Sequence, residues 1–185
     1  MNQPLAYVHP GAKIAKNVVV EPFATISSNV EIGEGTWVGS NVTIMEGARI
    51  GKNCNIYPGA VISGVPQDLK FEGEDSLCEI GDNTTIRECV TINKATNEGE
   101  KTIIGNDNLL MAYSHIGHNC ELGNKIVLSN SVQVAGHVKI EDNAIVGGCL
   151  GIHQFVHIGY LSMIGGMTRV TRDVPPFCIA EGHPA

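Results

Sequence analysis

An aliphatic residue recurs at every sixth position of this chain, starting at Val8. Of the 28 positions in this aliphatic frame between residues 8 and 170, 25 are Ile, Leu or Val. A second position, two residues before each aliphatic, is small or β-branched in the first nine repeats: Ala12, Val18, Ala24, Val30, Thr36, Val42, Ala48, Cys54 and Ala60. Residues two apart in an extended segment point to the same side, so these two positions define one buried face.

The six-residue period predicts a parallel β-helix. An α-helix does not return to the same face after six residues, because its period is 3.6. Each hexad therefore reads as a short strand plus a corner, and Gly and Asn in GEGT, GKNC and GDNT suit such corners. Three hexads form one triangular coil of about 18 residues. We predict an all-β fold with the β-helix over residues 1–174 and an exit segment at 175–185, while the period leaves the hand of the coil open.

The frame is interrupted twice, where Gly, Pro and charged residues gather. The three exceptional positions are Asp68, Glu74 and Glu98, which lie in SGVPQDLKFEGEDS and TNEGEK. Segments of this composition are typical of surface loops. We predict that two loops leave the repeat, at about 63–79 and 97–102.

Composition narrows the partners and the compartment. The net charge of −7 argues against a broad nucleic-acid surface, which requires clustered Lys and Arg. No stretch approaches the roughly 20 apolar residues of a membrane helix, and MNQPLAYVHP lacks the pattern of a signal peptide. Six cysteines without a CxxC pair are expected to be reduced thiols. We expect a cytoplasmic protein with no membrane span and no nucleic-acid partner.

Five of the seven histidines lie between residues 115 and 157. A step of 18 residues leads from His118 to Gly136 and then to Gln154, so these three are predicted to stack on neighbouring coils. The same count places Asn119 beside His137. The predicted surface cluster is completed by His115 and His153.

This cluster allows several interpretations. Histidines on a surface are often merely solvated. A histidine can also act as a general base, because imidazole titrates near neutrality. Three histidines with an open position would bind zinc and activate water. Gly136 is either an ordinary corner glycine or an amide donor that approaches a reacting carbonyl closely.

Specific segments resemble one enzyme family, the UDP-N-acetylglucosamine O-acyltransferases. They are VPQDLKF, EIGDNTTIRECVTIN, NLLMAYSHIGHNC, AGHVKI, GIHQFVHIG and DVPPFCIAEGHPA, and the resemblance covers the whole chain. It implies a left-handed β-helix, a homotrimer with sites between subunits, and no cofactor or metal. It further implies transfer of an (R)-3-hydroxyacyl group from acyl carrier protein to the glucosamine 3-hydroxyl of UDP-N-acetylglucosamine, the first step of lipid A synthesis.

The resemblance also implies roles for individual residues. His118 is expected to be the general base and the Gly136 amide the oxyanion donor. Asp68 and Lys70 are expected to contact the sugar and its diphosphate. Gly166 is expected to measure acyl chain length, leaving room for a longer chain, although Met167 beside it leaves that length open. Residues around the nucleotide sugar and the acyl chain are expected to be His115, His137, His153 and Gln154.

The chain departs from the family pattern in two places. Asn119 follows His118 where better-known relatives have Asp, so a charge that could stabilise an imidazolium is missing. The family also continues into a C-terminal helical region with basic residues that help to hold the carrier protein, whereas this sequence stops at Ala185.

Two rival functions stay open. A related N-acyltransferase shares a similar histidine segment but carries an extra N-terminal domain, whereas here the repeats begin by Val8. A γ-type carbonic anhydrase is a trimeric β-helix with zinc-binding histidines, but QDLKF has no role in that chemistry.

Overall fold

The computed structural model describes residues 4–185 and contains 26 short strands in three parallel sheets. The first sheet contains β1 (Tyr7–Val8), β4 (Thr25–Ile26), β7 (Thr43–Ile44), β10 (Val61–Gly64), β13 (Thr91–Asn93), β16 (His115–Ile116), β19 (Gln133–Val134), β22 (Gly151–Ile152) and β25 (Arg169–Val170). The second contains β2 (Lys13–Ile14), β5 (Glu31–Ile32), β8 (Ala48–Ile50), β11 (Leu77–Ile80), β14 (Lys101–Ile104), β17 (Glu121–Leu122), β20 (Lys139–Ile140) and β23 (His157–Ile158). The third contains β3 (Val19–Val20), β6 (Trp37–Val38), β9 (Asn55–Ile56), β12 (Thr85–Ile86), β15 (Leu109–Leu110), β18 (Val127–Leu128), β21 (Ile145–Val146), β24 (Met163–Ile164) and β26 (Ile179–Ala180). Residues 4–185 include no helix, and hence none that could cross a membrane.

Successive strands visit the three sheets in turn, so the chain winds as the predicted triangular coil. His115 pairs with Gln133 and Gln133 with Gly151, which confirms the 18-residue step. The aliphatic frame points inward throughout, and residues such as Ile44, Ile92 and Ile116 are fully buried. The position two residues earlier is buried as well, at Val30, Thr36 and Cys54 among others. Inward pairs of this kind supply the hydrophobic core that the sequence predicted.

The corners adopt left-handed backbone conformations at regular intervals. Asn17, Asn29, Asn41 and Asn53 have φ angles of 51° to 59°. Asparagine tolerates this region better than most residues, which explains its frequency in the repeat. Asn119, with a φ of 58°, occupies the same corner position within the histidine cluster.

Both loops leave the β-helix at one edge, between the first and second sheets. The first loop, residues 65–76, joins β10 to β11, and the second, residues 94–100, joins β13 to β14. They lengthen the coil step to 30 residues between Val61 and Thr91 and to 24 between Cys78 and Thr102. The predicted loops are therefore confirmed, with slightly different ends. We call this edge the loop edge.

The β-helix continues beyond the boundary expected at residue 174. Strand β26, in the expected exit segment, pairs with β24 and brings Ile179 beside Met163. This last step spans only 16 residues, and Val174 likewise bridges to Ile158 after 16. The final coil is thus two residues shorter than the regular 18-residue coil, so a count in sixes from Val170 misses the inward residues Val174 and Ala180.

Candidate active site

The histidine cluster lies on the loop edge, where the corners after β16, β19 and β22 stack. His118, Gly136 and Gln154 occupy equivalent positions on these corners, as the 18-residue count predicted. The contact is close: a Cβ added to Gly136 would lie 2.5 Å from both Cε1 and Nε2 of His118. A methyl group at position 136 would therefore force the imidazole to shift, whereas the glycine hydrogen does not.

His118 is buried rather than solvated, with only 6% of its surface exposed. The first loop folds over it and brings Oδ2 of Asp68 to 3.9 Å from His118 Nε2. The His137 ring packs edge-on against His118, with centroids 5.1 Å apart, and Phe155 stacks on His137 at 4.8 Å. The interpretation of a merely solvated histidine is thus wrong for His118.

Asn119 determines which nitrogen of His118 carries a proton. The backbone N–H of Thr96 donates to Asn119 Oδ1 at 3.1 Å, and the Thr96 hydroxyl does so at 2.9 Å. A backbone N–H can only donate, so this amide atom must be the oxygen. The same Oδ1 lies 2.9 Å from His118 Nδ1, which must therefore be the protonated nitrogen. Nε2 of a neutral His118 is left with a free lone pair, as a general base requires.

The neighbouring imidazoles favour their neutral forms. Burial, and secondly the proximity of His118, lowers the pKa of His115. The same two causes, in the same order, lower the pKa of His137. His115 also exchanges a 2.8 Å hydrogen bond between its Nδ1 and the Thr91 hydroxyl. Neutral neighbours would not repel a proton arriving on His118.

A groove of about 470 Å³ opens beside His118 and runs over the outer face of the first sheet. His118, Gly136, His115, His153 and Gln154 all line it, so the structure brings these five predicted residues together. Within residues 4–185, no group accepts a hydrogen bond from the Gly136 N–H, which leaves this amide available to a ligand.

Four predicted residues do not line the groove. Two of them, Asp68 and His137, still lie against the His118 ring. The other two, Lys70 and Gly166, do not. The Lys70 side chain is exposed on the first loop, where its backbone N–H donates to Asp68 Oδ1 at 3.0 Å. Gly166 lies on the corner between β24 and β25, at the edge between the third and first sheets. It therefore borders the opposite side of the first sheet from His118, and a single chain does not bring the two together.

Sequence reasoning missed several residues that line the groove or support it. Gln133 and Arg169 stand in the outward column that runs from His115 through Gly151, so the same 18-residue count could have found them. Asn93 and Gln67 come from the ends of β13 and of the first loop. Asn93 is 5% exposed, and its Oδ1 has no hydrogen-bond partner within residues 4–185. The 18-residue count does not predict Asn93 or Gln67, because the loops change the length of the coil step.

The described part of the chain contains no group of three or more His, Cys, Asp or Glu side chains arranged to hold a metal ion. All six cysteines are free thiols. Burial raises the pKa of the Cys78 and Cys120 thiols to about 12, so neither is a nucleophile near neutral pH.

Comparisons with known proteins agree with this arrangement. Residues 29–64 match the family model described as bacterial transferase hexapeptide (six repeats). A 27-residue segment is 63% identical to an acyl-[acyl-carrier-protein]–UDP-N-acetylglucosamine O-acyltransferase of Synechocystis, and it covers 15% of this chain and 10% of that protein.

Solved structures match over nearly the whole chain. The UDP-N-acetylglucosamine acyltransferase of Bacteroides fragilis 9343 is 48% identical, with a TM-score of 0.97 over 100% of this chain and 72% of that one. The enzyme of Francisella novicida is 44% identical, with a TM-score of 0.94 over 97% of this chain. This chain spans 66% of the length of the Francisella protein. It is a left-handed parallel β-helix that belongs to the UDP-N-acetylglucosamine acyltransferase family.

Proposed function

We propose that this protein transfers an (R)-3-hydroxyacyl group from acyl carrier protein to the 3-hydroxyl of UDP-N-acetylglucosamine, the first step of lipid A synthesis. The observation that carries the proposal is the environment of His118. Its Nδ1 donates to Asn119 Oδ1, its Nε2 is free to accept a proton, and the unpaired Gly136 amide lies on the adjoining coil.

His118 and Gly136 can together carry out acyl transfer without a metal ion. His118 Nε2 removes the proton from the glucosamine 3-hydroxyl while that oxygen attacks the thioester carbonyl carbon. The Gly136 N–H donates a hydrogen bond to the carbonyl oxygen as negative charge develops on it. When the carbonyl re-forms, the carbon–sulfur bond breaks and the carrier thiolate receives the proton held by His118. The products are the 3-O-acylated sugar nucleotide and the free carrier thiol.

The lining of the groove suits a sugar nucleotide. The Asp68 carboxylate, beside His118 Nε2, can accept hydrogen bonds from sugar hydroxyls. Arg169 lines the groove and offers positive charge to a diphosphate. Lys70 lies outside the groove on the same loop as Asp68, so it would contact only a part of the diphosphate that extends beyond the groove. His115, His137, His153 and Gln154 would surround the nucleotide sugar and the acyl chain.

The proposal includes a cytoplasmic homotrimer. The outer column of the third sheet is apolar over five successive coils, at Leu109, Val127, Ile145, Met163 and Ile179. Ile145, Met163 and Ile179 are 44%, 48% and 73% exposed in a single chain. An apolar sheet face of this kind suits burial against another subunit. Assembly would also be the means of bringing Gly166 of one subunit to the groove of another.

The test is an acyl-transfer assay with UDP-N-acetylglucosamine and carrier-bound 3-hydroxyacyl chains of several lengths. We expect His118→Ala to lower kcat by about a thousandfold, because the general base is lost. His157→Ala is the matched control: His157 pairs with Glu141 at 2.8 Å on the second sheet, outside the groove, and its loss should leave turnover unchanged. Wild-type turnover by His118→Ala would contradict the assignment. If the purified protein contained near-stoichiometric zinc, and removal of the zinc abolished its activity, the carbonic-anhydrase-like alternative would be favoured.

A further inference from the structure

The second loop places a carboxylate directly behind Asn119. Asn119 Oδ1 is already bound to His118 and Thr96, so its Nδ2 points the other way, and it donates to Glu100 Oε2. Asn97 Nδ2 holds the same carboxylate oxygen at 2.9 Å. Three groups therefore form a continuous chain of hydrogen bonds, from the Glu100 carboxylate through the Asn119 amide to the Nδ1–H of His118.

This chain of hydrogen bonds ends at Nδ1, on the side of His118 that faces away from the groove. Glu100 and Asn119 do not line the groove, whereas Nε2 faces it beside Gly136. Asp68, the other carboxylate near His118, approaches Nε2 itself, where the acceptor hydroxyl must come. His115 and His137, the remaining titratable groups against this ring, carry no negative charge. Glu100 is therefore the carboxylate that connects to His118 through Asn119, from the side opposite the groove.

We propose that Glu100 is a positioning residue that acts through Asn119, orienting its amide and supplying the negative charge that Asn119 itself lacks. The inference rests on the proposed function, because it concerns the imidazolium formed when His118 takes up a proton. An amide between two groups passes on polarisation: the carboxylate attracts the Nδ2 hydrogens and makes Oδ1 a stronger acceptor. Without Glu100, only Thr96 would hold the amide with its oxygen toward His118.

The decisive variant is Glu100→Gln, assayed for acyl transfer in the full chain. The glutamine oxygen still accepts from Asn119 Nδ2, so the geometry is kept and only the charge is lost. We expect kcat to fall by about three- to tenfold with KM unchanged, since Glu100 is exposed and one residue removed from the ring. Glu98→Gln is the matched control: Glu98 lies in the same loop and accepts from the Asp75 N–H instead, so kcat should stay at the wild-type value.

A double variant, Glu100→Gln with Asn119→Asp, separates charge from structure. The charge then sits on residue 119 and the glutamine amide donates to it, so kcat should return to within about twofold of wild type. An unchanged kcat in Glu100→Gln, an equal loss in Glu98→Gln, or no recovery in the double variant would each overturn the proposal. These results are distinct from a wild-type protein that transfers no acyl group, which would overturn the proposed function and this inference with it.

Discussion

The inside and the outside of the prism follow different rules. Inside, all three walls carry similar residues, with Ile, Leu or Val paired with a partner that is small or β-branched on most coils, Asn108 and Leu150 being exceptions. Outside, each wall has its own column. The second sheet alternates charges at Lys13, Glu31, Arg49 and Glu79, and the third sheet is apolar from Leu109 to Ile179. The first sheet carries the groove.

The difference shows where the fold is determined and where function can vary. Inward residues are shared by neighbouring coils and close-packed, so a change in one disturbs the coils above and below. Outward residues touch mainly the same column. The pair Lys13–Glu31, for example, is 2.8 Å apart but 78% and 45% exposed, and such pairs contribute little. The outer columns were therefore free to become a site, a charged face and an apolar face on one scaffold.

The strongest way to break this contrast is to place a charge inside. Ile116→Asp should prevent folding, because Ile116 is fully buried at the coil that carries His118 and an unpaired buried carboxylate costs several kcal/mol. Circular dichroism and thermal melting measure the effect. His115→Asp is the control one residue away on the outer face, and it should still fold. A soluble Ile116→Asp protein with wild-type melting would refute the inward assignment.

A methyl group at the loop edge should damage the chemistry more than the fold. Gly136→Ala adds a Cβ 2.5 Å from the His118 ring, so the imidazole must shift. We expect kcat to fall about a hundredfold, since a displacement of about 1 Å costs that much. Overpacking should cost about 1–3 kcal/mol in the free energy of unfolding. Calorimetry and the transfer assay check the two numbers separately, and wild-type kcat would show that His118 needs no such close neighbour.

Exchanging the chemistry of the two outer faces tests assembly. Met163→Lys places a charge in the apolar column and should shift the protein from the proposed trimer to a monomer in sedimentation velocity. Lys139→Met, on the charged face, removes a 4.0 Å pair with Glu121 whose partners are 55% and 61% exposed, and should leave both assembly and stability unchanged. If both variants stay trimeric, the subunits do not meet through the third sheet.

The smallest expected effect is a change of specificity. Gly166→Met should shift preference toward shorter acyl chains without loss of stability. The glycine has room for a side chain, because an added Cβ would meet only the Gly148 backbone, with its carbonyl oxygen at 3.4 Å and its nitrogen at 3.8 Å. The assay with several chain lengths measures this, with Gly166→Ala as an intermediate. An identical chain profile in all three proteins would exclude Gly166 as the ruler.

The repeat made much of this architecture predictable. A frame of Ile, Leu and Val can be counted, and the 18-residue step correctly placed His118, Gly136 and Gln154 together. The same count failed at the final coil, which is two residues short, and across the loops, which lengthen two coils. The count placed His118 on the outside of the coil, but it did not predict that Asp68 and His137 cover the ring.

The sequence by itself determined the coil and the order of residues along its edges, because burial of one aliphatic per six residues leaves few alternatives. Only the tertiary structure decided how the two loops fold back on the loop edge. Thr96, Glu100 and Asp68 meet His118 and Asn119 through contacts that follow no period, since loop conformation depends on hydrogen bonds between particular atoms rather than on spacing. That is why the tautomer of His118, and the carboxylate behind it, became apparent only in three dimensions.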